Sequence, residues 1–404
     1  MSLPTNLNIS RSSRVICAMS GGVDSSAAAY ILKNEGYDVI GVTMKLWDCF
    51  KAAKRQTCCS TADSVDAMRV CAQLGIPHHV VDMRGAFRKY VVEYFVKEYS
   101  KGRTPNPCIK CNEFLKFKFL REECAKLFSC NILATGHYAR ITSVSLRAPE
   151  GGVAIPSIQS DSGDCFADAR NDMRFKLFKG IDHAKDQSYF LFTLIQDELA
   201  RTIFPLGALK KEDVRRISKE AGLKTAEKRE SQEICFIPDN DYSGFIHDHY
   251  PELARPAGDF VDLKGKVLGR HEGTHAYTIG QRRGLGFGFG FGKRKYVVGI
   301  DVTNNRVVLG DNEDLMKSEM TVEDVTWTSG CHCEALVEAI PRLMVKIRYR
   351  HEGAPARVEI MEGGRAKVVF DKPQRAVTPG QAAVFYAGDE VLGGGWILGS
   401  GLTS

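Results

Sequence analysis

The chain has 404 residues, 44% hydrophobic and 26% charged, with 55 basic against 49 acidic side chains for a net charge of +6. A single core rarely grows past about 250–300 residues, so two or three globular domains are expected, and no run approaches the roughly 18–20 apolar residues of a membrane-spanning helix. The 13 cysteines are odd in number and thinly spread, and the first twenty residues hold no apolar stretch with a small-residue cleavage site. A reducing, cytoplasmic setting in which any thiol pairing is catalytic is the expectation.

The first third alternates strands with helices. Arg14–Met19 reads as a short apolar strand, Ala27–Asn34 as a helix stopped by Gly36, and Val39–Met44 as a second strand. Ala62–Leu74 reads as a helix ending at Gly75-Ile76-Pro77, His79–Val81 as a third strand, and Ile132–Gly136 repeats the strand-then-glycine theme. Strands apolar on both sides imply a parallel, doubly wound α/β sheet, whose ligands bind beyond the carboxyl ends of the strands. From Ser143 to Arg174 the composition turns to Gly, Ser, Asp and Pro, as in an inserted surface loop, and Lys210–Gly222 regains helical character.

From about Phe260 the pattern changes. Tyr296–Ile300 and Val307–Leu309 flank Thr303-Asn304-Asn305 as a hairpin. Val345–Tyr349, Val358–Met361, Ala366–Phe370 and Ala383–Tyr386 are further short strands. The expected architecture is a doubly wound parallel-sheet nucleotide-binding domain (residues 1–240), a small central domain (241–315) and a C-terminal barrel-like β domain (316–404), both appended parts being mainly β.

Ser20-Gly21-Gly22-Val23-Asp24-Ser25-Ser26 joins the first strand to a small-residue helix. Two glycines permit close backbone approach, three serines add hydroxyls, and the helix start aims unpaired amides and a positive dipole end at an anion, so the segment reads as a phosphate cradle. Asp24 either positions a metal or caps the helix, with the cap preferred. Cys108-x-x-Cys111 has three readings: half a zinc site, a redox pair, or two structural thiols. No second pair stands at finger spacing, and Cys331-His332-Cys333 is compressed enough to be an interdomain turn. Pro105 and Pro107 would stiffen an extended loop that presents the thiols. Lys110 is either a solvated charge or a helper of the neighbouring thiolate, the solvated charge being preferred, and Cys58-Cys59 reads as structural. Between Ile279 and Val297, Arg282, Arg283, Lys293, Arg294 and Lys295 interleave with Phe287, Phe289 and Phe291, as a flexible hairpin tip or a phosphate-binding arm. Arg342, Lys346, Arg348 and Arg350 alternate with Leu343, Val345, Ile347 and Tyr349, a strand with a basic outer face.

The glycine loop resembles the pyrophosphate (PP) loop of the ATP pyrophosphatase superfamily, whose members adenylate a carbonyl oxygen and release pyrophosphate. With Ala134–Ala139, Thr104–Asn112, Lys185–Leu191, Ser231–Asp239, Gly280–Gly286, Ile347–Arg350 and Thr378–Tyr386, the chain resembles the tRNA-specific 2-thiouridylases in order from Ala18 to Trp396. That resemblance implies ATP contacts at Ala18, Met19, Ser20, Gly21, Gly22, Val23, Asp24, Ser25, Met44 and Gly136, with Mg2+ accompanying the nucleotide. It implies a nucleophile at Cys111, a persulfide carrier at Cys235, target-base contacts at Asn106, Pro107 and Cys108, and tRNA contacts at His137, Lys185, Asp186, Gln187, Arg348, Tyr349 and Gln381. Many relatives carry aspartate where Cys108 stands. Cys108, Cys111 and Cys235 could therefore hold an iron–sulfur cluster, although two cysteines suffice for a persulfide route.

The implied reaction is 2-thiolation of the wobble uridine in the anticodon loop of tRNAs for lysine, glutamate and glutamine, with sulfur from a cysteine desulfurase relay. A monomer without membrane attachment is expected, although the sequence fixes no oligomeric state. Two competing readings are a PP-loop synthetase with a small-molecule acceptor and a metal-holding RNA-binding protein with a vestigial loop.

Overall fold

A computed structural model describes residues 9–47, 61–145, 173–228, 234–237, 241–285, 294–328 and 342–399. Seven strands arise in the first half: β1 (Arg14–Ala18), β2 (Asp38–Lys45), β3 (His78–Asp82), β4 (Leu133–Ala134), β5 (Ala139–Ser145), β6 (Met173–Lys179) and β7 (Thr202–Ile203). Five of them form one parallel sheet in the order β3-β2-β1-β4-β7. Val15, Ile16 and Cys17 of β1 are fully buried, as a central strand covered on both faces requires. The chain runs outward from β1 through β2 to β3 and then returns to the other side of β1. The order thus reverses between β1 and β4, and a crevice opens beyond Ala18 and Ala134, the place where such sheets bind ligands.

Helix α1 (Val23–Asn34) follows β1 and starts four residues earlier than the sequence pattern predicts, so Val23–Ser26 form its first turn. Ala27, Ala28 and Ala29 are fully buried; side chains this small let the helix lie close against the sheet. Helix α2 (Thr61–Leu74) leads into β3. A helical region absent from the sequence reading covers 84–100 and 107–128, with π-wound turns at Arg88–Val92 and Cys111–Leu120. It contains α3 (Pro107–Lys110). Phe87, Phe95 and Tyr99 join Phe236 in a separate aromatic core beneath it. Helix α4 (Lys211–Glu220) packs beside α1.

After helix α5 (Tyr242–His249) come β8 (Gly258–Asp262), β9 (Val267–His271), β10 (Tyr296–Asp301) and β11 (Arg306–Gly310). They form a sheet in the order β10-β11-β8-β9 around Phe260, Tyr277, Val297, Val307 and Leu309. Strands β10 and β11 are the expected hairpin, with Asn305 in the left-handed region at φ 51°, which asparagine tolerates.

The C-terminal domain is a closed antiparallel barrel of β12 (Met316–Trp327), β13 (Leu343–Lys346), β14 (Ala354–Met361), β15 (Arg365–Arg375), β16 (Ala382–Ala387) and β17 (Glu390–Gly399). Strand β12 pairs with β15 on one side and β17 on the other, which closes the barrel. Strand β13 ends at Lys346, short of the strand expected over Val345–Tyr349, but the expected alternation runs on past it: Leu343, Val345 and Ile347 are buried, Arg342, Arg348 and Arg350 are exposed, and Lys346 and Tyr349 are half-buried.

The β5–β6 hairpin, which begins in the nucleotide-binding part of the chain, extends the barrel sheet to eight strands by pairing Phe178 with Glu390 and Leu177 with Val391. The expected insertion therefore starts inside one strand and ends inside another; its interior, 146–172, lies outside the described residues. Cys58-Cys59, Phe287, Phe289, Phe291, Lys293 and Cys331-His332-Cys333 also lie outside them. Among the described residues no helix is long and apolar enough to cross a membrane.

All three parts meet at 102–104. The Thr104 N–H donates to Pro379 O at 2.8 Å, and Gln381 Nε2 donates to Thr104 O at 2.8 Å. Arg103 bridges Glu98 (3.5 Å) and Glu323 of the barrel (2.6 Å). Gly102 has φ +72°, and a Cβ there would lie 2.7 Å from Val302 Cγ2 and 2.8 Å from Ile300 Cγ2 of the central domain. Gly102→Ala should therefore cost about 1–3 kcal/mol in backbone strain and overpacking. A lower thermal midpoint without loss of secondary structure at 25 °C is the expected result.

The central domain also carries an acid sensitivity. Gly273 N–H donates to His271 Nδ1 at 3.0 Å and Arg255 N–H to His275 Nδ1 at 3.1 Å, so both rings must be neutral. Burial lowers both pKa values, with the neighbouring His247 lowering that of His275 further. The unfolded chain then takes up protons, near its own pKa of about 6.5, that the folded domain refuses. Stability should fall as pH drops below about 6.5, and His271→Gln/His275→Gln should flatten that slope in calorimetric scans between pH 7.5 and 5.5.

Candidate active site

The loop after β1 is held open from within. Ser25 Oγ accepts from the Ser20 N–H (3.1 Å) and lies 3.2 Å from Ser20 Oγ, while Ser26 Oγ donates to Gly22 O at 2.8 Å. Gly21 has φ +69°, and a Cβ on it would lie 2.2 Å from Asp63 O, so only glycine fits. Gly136, beyond β4, packs against the backbone of Asp24 and Ser25, where a Cβ would come within 2.8 Å. Met44, at the carboxyl end of β2, is half-buried and borders both the sheet core and the aromatic core. Ala18, Met19, Ser20, Gly21, Gly22, Val23, Asp24, Ser25, Met44 and Gly136 thus line or support one crevice.

Asp24 is not the helix cap that the sequence favours. The N-cap of α1 is Gly22, with no side-chain cap bond. Asp24 Oδ1 instead accepts from Tyr138 Oη at 2.7 Å, and its two oxygens accept from Lys211 Nζ at 2.7 and 2.8 Å. With its carboxylate engaged this way the loop acid does not fit a resident Mg2+; a divalent ion here would arrive on the nucleotide phosphates. A second lysine grips the other end of the loop. Lys228 Nζ donates to Gly21 O (3.0 Å), Asp63 Oδ1 (2.6 Å) and Asp66 Oδ2 (2.6 Å). Burial alone would lower the Lys228 pKa, but the two carboxylates raise it overall and keep it charged. Neither lysine nor Tyr138 carried a signal of its own in the sequence, because their partners lie more than a hundred positions away.

The cysteines sit on a helix rather than on the extended loop that the two prolines suggest. Pro107 occupies the first helical position, where a missing N–H costs nothing. Asn106, extended as a residue before proline should be, caps that helix by accepting from the Cys108 N–H at 3.2 Å. Cys108 is exposed, while Cys111, one turn on, is half-buried at the start of the π-wound segment. Cys235 is also half-buried, and its neighbour Phe236 packs edge-on against Phe87 (5.6 Å) and Phe95 (5.3 Å). Cys111 and Cys235 both border that aromatic core. Among the described residues no group of three or more His, Cys, Asp or Glu side chains is arranged to hold a metal ion.

Lys110 is not a solvated charge. Its side chain is 15% exposed, bonded to Glu113 at 2.9 Å, with its ammonium 4.7 Å from the Trp396 ring centre. It pins the cysteine helix to the barrel through a cation–π contact. His137 lies with its ring between Phe117 and Phe204 (6.0 and 5.9 Å), bonded to Thr135 Oγ1 at 2.7 Å. Burial, then Lys116, holds its pKa well below the usual range, so it is neutral.

The other expected tRNA contacts divide into two groups. Asp186 is buried and accepts from Gly180 N–H, Ser188 N–H and Ser188 Oγ. Gln187 exchanges two bonds with the Tyr138 backbone, at 3.0 and 2.9 Å, and Gln381 reaches Thr104. These three hold protein to protein. Lys185 is half-buried, Arg348 is exposed, and the Tyr349 ring packs at a tilt of 40° against Phe190, with centroids 4.5 Å apart. Phe190 O in turn accepts from Asn112 Nδ2 at 3.1 Å, so the barrel surface reaches the residue after Cys111.

Comparisons with known proteins cover the whole arrangement. Residues 13–239 match the tRNA methyl transferase HUP domain model, 243–311 the tRNA methyl transferase PRC-barrel domain and 317–397 the Aminomethyltransferase beta-barrel domain. The chain is 47% identical over 389 residues to the tRNA-specific 2-thiouridylase MnmA of Geobacter metallireducens, covering 95% of this chain and 96% of that protein. It is 45% identical to the protein of that name from Geotalea uraniireducens, covering 95% and 94%, and 42% identical to one from Acidithiobacillus ferrooxidans, covering 96% and 99%.

The two loop glycines make a paired test of the nucleotide cradle. Gly22 has ordinary φ (−94°) and only Ser20 Oγ near its would-be Cβ, at 3.5 Å. Gly22→Ala should change stability by less than about 1 kcal/mol, whereas Gly21→Ala should lose about 1–3 kcal/mol. Both should abolish stabilisation by ATP in a thermal-shift measurement, Gly21→Ala because a methyl group there collides with the Asp63 carbonyl and displaces the loop, Gly22→Ala because it adds bulk to the segment that must approach the phosphates.

Proposed function

The chain belongs to the tRNA-specific 2-thiouridylases, and we propose that it uses ATP to replace the C2 oxygen of a tRNA uridine with sulfur carried on Cys235. The observation that carries this reading is a continuous wall between the two chemistries. The Gly136–His137 turn packs on the nucleotide loop, and the His137 ring meets Phe117 of the π-wound helix that begins at Cys111.

The order of events follows from the bonds to be exchanged. The uridine C2 oxygen attacks the α-phosphate of ATP in the crevice; the bond from the α-phosphorus to the bridging oxygen breaks, and pyrophosphate departs with the electron pair. An oxygen that is otherwise a poor leaving group becomes part of AMP. The terminal sulfur of a Cys235 persulfide then attacks C2, and AMP leaves. The Cys111 thiolate attacks Sγ of Cys235, so the disulfide bond shifts to Cys111–Cys235 and the transferred sulfur stays on C2. A reductant must reopen that disulfide before the next turnover.

Loop amides and the start of α1 stabilise the developing phosphate charge. Asn106, Pro107 and Cys108, at the head of the cysteine helix, receive the everted base, with Lys185, Arg348 and Tyr349 along the anticodon stem-loop. His137 walls the passage between the two sites, while Asp186, Gln187 and Gln381 position the surfaces that meet the RNA. The wobble uridine of tRNAs for lysine, glutamate and glutamine is the substrate, a cytoplasmic cysteine desulfurase relay supplies the sulfur, Mg2+ enters with ATP, and the enzyme works as a monomer.

Cys111→Ser and Cys235→Ser should each lower 2-thiouridine formation by at least about 10³-fold, while the tRNA-dependent burst of pyrophosphate in the first turnover stays within about tenfold of the parent. Cys108→Ser should keep most thiolation. AMP formed equally well without RNA would replace this reading with a small-molecule synthetase, and thiolation surviving the loss of Cys235 would overturn the role of that cysteine as sulfur carrier.

A further inference from the structure

Lys211 opens α4, with its backbone N–H bonded to Asp182 Oδ2 at 2.9 Å. Its side chain runs inward to the nucleotide loop and is 9% exposed. The ammonium donates to both oxygens of Asp24 and lies 5.6 Å from the centre of the Tyr138 ring. Asp24 stands in the first turn of α1, so a buried cation is held beside the positive end of a helix. Such a placement is unfavourable on two counts: ammonium desolvation and repulsion by the helix dipole. Asp24 offsets the lysine's own charge and also takes the Tyr138 hydroxyl, which leaves the helix end and the loop amides uncompensated. The site therefore favours an arriving anion that carries more than one charge.

Lys228, the other lysine at this loop, differs in charge count. It faces two carboxylates, Asp63 and Asp66, whose combined charge exceeds its own. Its work is to hold Gly21 in place.

We propose that Lys211 is a catalytic residue of the adenylation step, its ammonium contacting the β-phosphate of bound ATP. When the bond from the α-phosphorus to the bridging oxygen breaks, the electron pair stays on pyrophosphate, and Lys211 offsets that charge without giving up a proton. Asp24 is the tether that keeps the ammonium at the loop between turnovers, and Tyr138 fixes the tether. The proposal rests on the reading of this loop as the ATP-cleaving site.

The test is tRNA-dependent pyrophosphate release by the full chain under saturating ATP. Lys211→Met should lower kcat about 10²–10³-fold with tRNA affinity unchanged, and added inorganic pyrophosphate should inhibit at least tenfold more weakly. Lys211→Arg, which keeps the charge, should recover at least tenfold of the loss. If Lys211→Met strands Asp24 and fails to fold, Asp24→Asn/Lys211→Met removes both charges together and is read the same way. A folded variant lacking the lysine with kcat within threefold of the parent, or with unchanged inhibition by pyrophosphate, overturns the proposal. A parent enzyme that releases no pyrophosphate in response to tRNA would instead overturn the reading of the function.

Discussion

The Thr104 peptide is held on both sides by the barrel, its N–H by Pro379 O and its carbonyl by Gln381 Nε2. The geometry of the candidate site depends on that clasp. Thr104 precedes the helix that carries Cys108 and Cys111, so the thiols take their position from a domain more than two hundred residues downstream as well as from the sheet. Gly102 seats the same segment against the central domain, and Lys110 on Trp396 secures the helix one turn further on. The appended β domains are therefore part of the frame of the candidate site, and the barrel surface is rigidly referenced to the cysteines. The Tyr349–Phe190–Asn112 contacts supply a second, independent link between those same two places.

The nucleotide loop follows a related logic with charge instead of backbone bonds. Two lysines enter from the segment after β7, one at each end of the loop, and each is balanced by carboxylates from α1 or α2. Buried ion pairs of this sort give specificity of arrangement more than net stability. Here they fix the loop's shape before any ligand arrives, so binding need not spend free energy on ordering it.

Much of this was legible in the sequence where the information is local. Periodicity located β1, β2, β3, α2, α4 and the β10–β11 hairpin, because each is a continuous run with its own stop signals. The Ser20–Ser26 loop and the Cys108-x-x-Cys111 spacing stood out for the same reason. Illegible features were those set by distant partners. The helices over 84–128 are rich in aromatics that face two cores, so no single apolar stripe marks them, and π-wound turns break the 3.6-residue period. Asp24 reads as a cap until Lys211, 187 positions away, takes its carboxylate. Lys110 reads as a solvated charge until Trp396 folds over it, and Asp186 and Gln187 lie in a matched motif whose side chains prove to be spent on the fold itself.

The β5–β6 hairpin has a consequence for how the molecule is made. Its second strand, β6, pairs with β17 across about 210 positions, Phe178 with Glu390 and Leu177 with Val391. During synthesis at about 5–20 residues per second, that edge waits roughly 10–40 s after it leaves the ribosome before its partner exists. The parallel sheet can form around β1 long before then, but the clasp on Thr104 cannot, because Pro379 and Gln381 emerge almost last. A nascent chain would thus own a nucleotide loop well before it owns a positioned thiol. An ATP site without its sulfur chemistry is the state in which every copy of the protein begins.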